Sequence, residues 1–434
     1  LKQIYQRLDE NEPLKPDDPR YQPVYDYPGC DNPVELMQKH IEWSGVESVQ
    51  LFSGFRGSGK TTELLRLQKQ LEDKGYVVLY ADALDYLSPS EEVDIANLLI
   101  VLAGAFSDAL GDKIGMDVAG ESYWTRFKNY LTQTAVEIPE VTVPGVDLKL
   151  SLKTSPSFRQ KLEQFLAHRI GQLKNHVDQF IEDGVKTIRE RRGEETQVVF
   201  IFDSLEQVRG SRSNEQAVIR SVERLFANYY PKMLTLPYLH AVYTVPPWLK
   251  FAAPNITKII IIPCVRQWEN DAGRNKHKEG CNALCFLVGK RFGEEGSKRC
   301  FGELSREPSQ VEAKDMPGEE GSEGCCSESC GHCNPSVQKI LDVCGGHFRD
   351  LLLLLRETLL RAKSLPVSAE VIEAAISEVR SHFLPIAIED ARWLHQIAEL
   401  RTAALPSVSP EDVNRLTRFL DTHFVLYFRN GNEW

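Results

Sequence analysis

The chain has 434 residues, 42% of them hydrophobic and 26% charged, enough for two or three domains with their own cores and too many for a small stapled scaffold. Lys and Arg number 51 against 62 Asp and Glu, a formal net charge of -11, so the field of the whole molecule opposes tight non-specific binding to a polyanion and leaves only a local basic patch for nucleic acid. No apolar run approaches the roughly 20 residues of a membrane-spanning helix, and Leu1-Lys2-Gln3-Ile4-Tyr5 has none of the parts of a signal peptide. A cytoplasmic chain with no membrane partner is expected. It opens on leucine and stops at Trp434 within a strand-like run, and a piece of a longer protein is expected.

Residues 1–45, rich in Pro, Asp and Tyr, read as a wrapping arm that leads into a helix from Val34 to Trp43. A buried strand follows at Ser48 to Ser53, then a glycine-rich turn, then a helix from Thr61 to Lys74 with apolar spacing through Leu64, Leu65, Leu67 and Leu71. Gly75 ends it. Tyr76 to Ala81 reads as a second strand and Val93 to Leu110 as a second helix, the alternation of a parallel α/β sheet. Residues 120–195 interrupt that rhythm. They hold alternating apolar positions from Val136 to Leu152, then a helical stripe at Phe158, Leu162, Leu166, Ile170, Leu173, Val177, Ile181, Val185 and Ile188. Such a stripe packs along its own domain or forms an arm toward another subunit. The α/β pattern resumes with the strand Gln197 to Phe202, a helix from Glu215 to Tyr230, and strands at Tyr238 to Thr244 and Lys258 to Ile262. A parallel α/β core over 46–263 is therefore expected, followed by a helical lid over 264–384 and a module over 385–434. An acidic, glycine-rich tract between Glu303 and Gly324 reads as a disordered loop.

Gly54-Phe55-Arg56-Gly57-Ser58-Gly59-Lys60-Thr61-Thr62 sits between a strand and a helix, the context that makes Gly-x4-Gly-Lys-Thr a phosphate site. The glycines let backbone N–H groups converge on phosphate oxygens, and the helix N-terminus adds its dipole. Lys60 is expected to reach the β/γ oxygens and Thr61 to ligate Mg²⁺. Phe200-Ile201-Phe202-Asp203 supplies an acid at the end of an apolar strand, the Walker B candidate for Mg²⁺. Glu206, three residues on, is placed to orient or deprotonate a water, or else simply suits a helix N-terminus.

Thr244 ends a strand just before Val245-Pro246-Pro247, at the edge where parallel sheets hold ligands, so it either senses the γ-phosphate or is an ordinary β-former. Arg349, in Cys344-Gly345-Gly346-His347-Phe348-Arg349-Asp350, opens the helix Leu351 to Arg361. It either folds back onto the γ-phosphate or pairs with Asp350 at the surface. A guanine-selecting Asn-Lys-x-Asp is absent, because Asn275-Lys276 is followed by His277-Lys278, and ATP is expected over GTP.

Together these elements resemble the AAA+ P-loop ATPases, in the branch that includes origin-recognition-type initiators and STAND signalling ATPases, over roughly residues 25–380. The resemblance implies ATP binding by Gly59, Lys60 and Thr61, magnesium coordination by Asp203, hydrolysis by Glu206 and sensing by Thr244 and Arg349. It also implies a winged-helix module, with a helix over Val413 to Leu420 and half a wing at Phe424 to Phe428 before the turn Arg429-Asn430-Gly431-Asn432. The chain departs from the pattern by its large insertion, its cysteine-rich lid and the lack of an obvious arginine finger, for which Arg209 and Arg212 lie nearest. Relatives of this kind are switches that assemble as homo-oligomers or gate an effector protein, in bacterial stress or antiphage defence. A DNA-binding initiator or loader, and a nucleotide-binding scaffold without turnover, are the alternatives.

Nine of the ten cysteines fall between Cys264 and Cys344, where free thiols or a metal are expected before disulfides. Cys281, Cys285, Cys330 and Cys333 offer four thiolates to one structural Zn²⁺, with Cys300, Cys325, Cys326 and His332 as substitutes. Cys281 and Cys285 also fit a buried helical face as small hydrophobes.

Overall fold

The computed structural model describes residues 1–27, 30–115, 121–133, 147–211, 213–253, 256, 258–269, 275–301, 334–400, 407, 409–426 and 428. Its centre is a parallel sheet of β1 (Ser48–Gly54), β2 (Val77–Asp82), β3 (Val198–Asp203), β4 (His240–Val245) and β5 (Ile260–Ile262), in the order β2-β3-β4-β1-β5. Two short helices precede β1, α1 (Lys2–Arg7) and α2 (Pro33–Trp43). Asn32 starts α2 by accepting from the Val34 amide at 2.9 Å, with Pro33 in the first turn.

Strand residues alternate between two apolar layers, as a period of two requires. Leu79, Phe200, Phe202, Ala241 and Tyr243 face one core, while Val78, Val199, Ile201 and Val242 face the other. On the second face lie α2 and α3 (Lys60–Asp73), together with helices that follow β5. On the first lies α4 (Ile95–Ile114), started by Asp94, whose side chain accepts from Ala96 and Asn97. Against expectation, α4 is long and apolar enough to cross a membrane by length and composition, yet 83% of its most apolar stretch is buried within the protein. Its apolar residues are spent on both the sheet and the insertion, so no polar face is needed.

The insertion is helical where described: α5 (Tyr123–Gln133), α6 (Leu148–Thr154), α7 (Pro156–Leu166) and α8 (Ile170–Arg192). Leu148 and Leu152, read as part of an alternating run, lie on one face of α6, and residues 134–146 are outside the described set. The long stripe is two helices with a break before Ile170, and it buries within this chain against α4. Gly184 of α8 allows that approach, since a Cβ there would stand 2.6 Å from the Phe106 ring.

After β3 come α9 (Glu215–Tyr229) and α10 (Leu249–Ala252). The region expected as a lid follows β5 as α11 (Lys278–Phe292), α12 (Glu294–Phe301), α13 (Pro335–Cys344), α14 (Phe348–Arg361) and α15 (Ala369–Ser381). The last two described helices are α16 (Ile388–Leu400) and α17 (Pro410–Asp421). Their core of Trp393, Leu416, Phe419, Leu420 and Val425 also takes in Phe55 from the glycine-rich turn. Residues 424–426, expected as a strand, form none: the Val425 amide is spent on the Phe419 carbonyl at 3.2 Å, which folds the chain back on the end of α17. The expected turn at 429–432 and the tract at 303–324 lie outside the described residues.

Candidate nucleotide site

β1 delivers the turn 55–59 to the N-terminus of α3, and the turn keeps its shape only with glycine. Gly57 and Gly59 have φ of 83° and 86°, the left-handed region that side chains disfavour. A Cβ on Gly57 would come 2.5 Å from Arg349 Cβ, and one on Gly54 would come 2.8 Å from Ser58 Oγ. Arg56, Gly57, Gly59, Lys60, Thr61 and Thr62 line one wall of a cavity of about 380 Å³. Ser58 Oγ is buried with no hydrogen-bond partner, which is uncommon for a buried hydroxyl.

Lys60 is buried with its ammonium on the carbonyls of Gly54 (3.1 Å) and Phe55 (3.0 Å) and on Glu206 Oε1 (2.9 Å). Thr61 Oγ1 donates to Asp203 Oδ2 at 2.8 Å, and the Tyr80 hydroxyl donates to the same oxygen at 2.5 Å. Asp203 Oδ1 accepts from the Ser204 amide at 2.7 Å. Ser204 carries a positive φ of 66°, the kind of backbone strain that collects at working sites. It turns the chain so that Asp203 and Glu206 approach the cradle together.

Because β4 lies between β1 and β3, Thr244 stands between the cradle and the acids. Its hydroxyl accepts from the Leu205 amide at 3.1 Å. Burial pushes the Asp203 carboxyl up, and the neighbouring Glu206 charge adds to that. Burial would raise Glu206 too, but the Lys60 ammonium outweighs it and holds the carboxyl below its ordinary range, with Thr244 contributing. Glu206 is thus ionised, with Oε1 on Lys60 and Oε2 lacking a hydrogen bond of good geometry.

Arg349 lies in the first turn of α14 and packs over Gly57. One guanidinium nitrogen donates to Asn11 Oδ1 at 3.3 Å, while Nε is buried without a hydrogen-bond partner. Burial, with Arg56 nearby, lowers its affinity for a proton, so the site favours added negative charge. The alternative pairing with Asp350 is not what the structure contains, because that carboxylate faces His347 and His423. Arg209 reaches Asp421 at 3.4 Å and the Glu206 carbonyl at 3.3 Å, an intramolecular role. Arg212 lies outside the described residues.

The opposite wall of the cavity was not legible as a site. Glu10 to Leu14, Arg20 and Tyr21 of the arm roof it, and the Leu14 amide donates to Thr62 Oγ1 at 3.1 Å. The Pro and Tyr content pointed to a wrapping segment, but nothing local names what it wraps. Tyr80 and Asp82 were equally hidden, since their place beside Asp203 depends on β2 pairing with β3.

Of the expected zinc ligands, Cys281 and Cys285 are buried one turn apart on α11, and Cys281 Sγ donates to the Gln267 carbonyl at 3.6 Å. Cys285 is disulfide-bonded, against the expectation of free thiols or metal, because spacing along the chain does not report which sulfurs meet in space. Cys330 and Cys333 lie outside the described residues.

No family model matches the chain, and no curated protein does. Among solved structures it is similar to a Walker-type ATPase of Pyrococcus abyssi, at 11% identity and a TM-score of 0.36 over 91% of this chain and 79% of that one. It is also similar to the ORC2 protein of Aeropyrum pernix. The ADP form gives 14% identity and 0.37 over 95% and 82%, and the ADPNP-ADP complexes give 13% and 0.34 over 98% and 84%. Likeness at this level carries no weight for function, which is argued from the site's own geometry.

Proposed function

We propose that the chain binds and hydrolyses Mg-ATP and works as a switch of the AAA+/STAND type. The observation that carries this is the meeting of Lys60 with Glu206 and of Thr61 with Asp203 around a glycine cradle. Mg-ATP supplies the phosphoanhydride bond and an ion that neutralises charge on its oxygens. Lys60 would exchange the Gly54 and Phe55 carbonyls for phosphate oxygens. Thr61 and Asp203, already in contact, would hold the ion, and Gly57, Ser58 and Gly59 would offer backbone and hydroxyl donors. Glu206, relieved of Lys60, would accept the proton of an attacking water, with Thr244 fixing its orientation.

Arg349 would neutralise the γ-phosphate from the lid. Because α14 continues into the lid while Phe55 sits in the core of α16 and α17, both ends of the cradle connect to elements that a change of nucleotide could move. Assembly with further copies, or gating of an effector in stress or antiphage defence, belongs to the same proposal and rests on the family resemblance. Steady-state phosphate release by the purified chain with Mg-ATP tests it. No turnover above that of Lys60→Ala would reduce the site to a nucleotide-binding scaffold.

A further inference from the structure

Against Phe55 of the cradle, three groups from two distant segments meet. His347 and Asp350 bracket the start of α14, and His423 follows α17. One ligand atom from each lies within 4.8 Å of the others. His347 has a fully buried side chain, and its Nε2 is 2.9 Å from the Arg56 carbonyl. A carbonyl only accepts, so Nε2 carries the hydrogen and Nδ1 of the neutral ring is a bare lone pair.

That lone pair lies 2.9 Å from Asp350 Oδ2, with no hydrogen bond of good geometry formed at Nδ1. Two lone pairs at this distance in a buried place repel unless something positive lies between them. On the other carboxylate oxygen, His423 Nδ1 is 3.5 Å from Oδ1, and the Nε2 of that ring is buried with no partner.

We propose that His347, Asp350 and His423 bind a first-row divalent transition ion of the zinc class. Donors about 2.1 Å from such an ion lie roughly 3.0 Å apart at a right angle and about 3.4 Å apart at the tetrahedral angle. The two observed separations, 2.9 Å from His347 Nδ1 to Asp350 Oδ2 and 3.5 Å from His423 Nδ1 to Asp350 Oδ1, lie in this range, so the carboxylate would meet the two imidazoles with different oxygens. Two imidazoles and one carboxylate suit zinc, iron, cobalt or nickel, whereas magnesium and calcium prefer oxygen alone. The hydrogen bond from His347 to a backbone carbonyl is the outer contact that metal-bound imidazoles usually keep, fixing the tautomer that presents Nδ1. The ion would tie the cradle residue Arg56, the lid and the end of α17 together. The site is separate from the cysteines of α11 and from Thr61 and Asp203, and it does not depend on ATP hydrolysis.

The test uses the full chain, stripped with chelator, desalted and titrated with Co²⁺ alone while absorption and heat are recorded. One equivalent should bind with the weak visible bands of nitrogen and oxygen ligation. His423→Ala and Asp350→Asn should each weaken that binding at least about 100-fold, more than the loss of an outer-shell partner usually does. Circular dichroism should show both variants folded. His347→Ala should weaken it likewise, and should that protein fail to fold, the other two variants decide the matter. Absence of Co²⁺ binding, thiolate charge-transfer bands alone, or unchanged affinity in the folded His423→Ala protein overturns the proposal. A proton would then be the charge between His347 and Asp350.

Discussion

Lys60 Nζ and Glu206 Oε1 are 2.9 Å apart, and both side chains are only 5% exposed. The cation expected to meet phosphate and the carboxylate expected to meet water hold each other. Lys60 keeps Glu206 ionised, and each side chain is held in place by the group it must leave.

Removing one member strands the other. Lys60→Ala should abolish Mg-ATP binding and also cost roughly 3 kcal/mol of stability, because Glu206 is left buried and unpaired. Lys60→Ala with Glu206→Gln should recover most of that stability and none of the binding. Urea unfolding paired with calorimetry separates the two effects, and a stable, ATP-hydrolysing Lys60→Ala protein would refute the site.

Glu206→Gln alone keeps its hydrogen-bonding shape and loses the base. Nucleotide affinity should persist while phosphate release falls at least about 100-fold, the usual contribution of a positioned base. Thr244→Val should also slow release by freeing the Leu205 turn, and Thr244→Ser should restore it. Unchanged turnover in Glu206→Gln would move the role to another carboxylate.

Arg349 discriminates between nucleotides if it answers the γ-phosphate. Arg349→Ala should lose the preference for ATP over ADP and slow turnover, with ADP affinity nearly intact. Calorimetry with both nucleotides on both proteins decides it, and equal losses would remove Arg349 from the reaction.

Glu63 makes stability depend on pH. Burial lifts its carboxyl from the ordinary 4.5 to about 6, although Arg66 and the Tyr21 hydroxyl pull the other way. The folded state therefore holds the proton more tightly, and this contribution is complete below about pH 4.5 and lost as pH rises through about 6. Glu63→Gln is neutral throughout. It should gain about 2 kcal/mol over the parent between pH 4.5 and 7.5, following the 1.36 kcal/mol per pKa unit. Parallel urea midpoints across that range would contradict the assignment.

The sheet, its crossover helices and the residues Lys60, Thr61, Asp203 and Glu206 were legible because each is a local pattern: an apolar run, a glycine turn, an acid at a strand end. Thr244 was ambiguous by itself, and the insertion of β4 between β1 and β3 resolves its place. The arm over the cavity, Tyr80 beside Asp203 and the encounter of His347 with His423 were not legible. Each depends on segments far apart in the chain, with Tyr80 lying 123 residues from its partner. Residues 424–426 form no strand for a nearer reason: Phe424 and Val425 have strand-like side chains, but the Val425 amide closes the end of α17.

Phe55 belongs to the glycine-rich loop by sequence and to the C-terminal helices by packing, where it is wholly buried. The loop therefore borrows its rigidity from a neighbour, and the neighbour takes a keystone from the loop. A chain cut before residue 385 would present a bare aromatic ring at the lip of its own binding site. Such a shortened protein should be sticky, and its loss of nucleotide affinity would reflect a slack cradle even with every liganding residue still present.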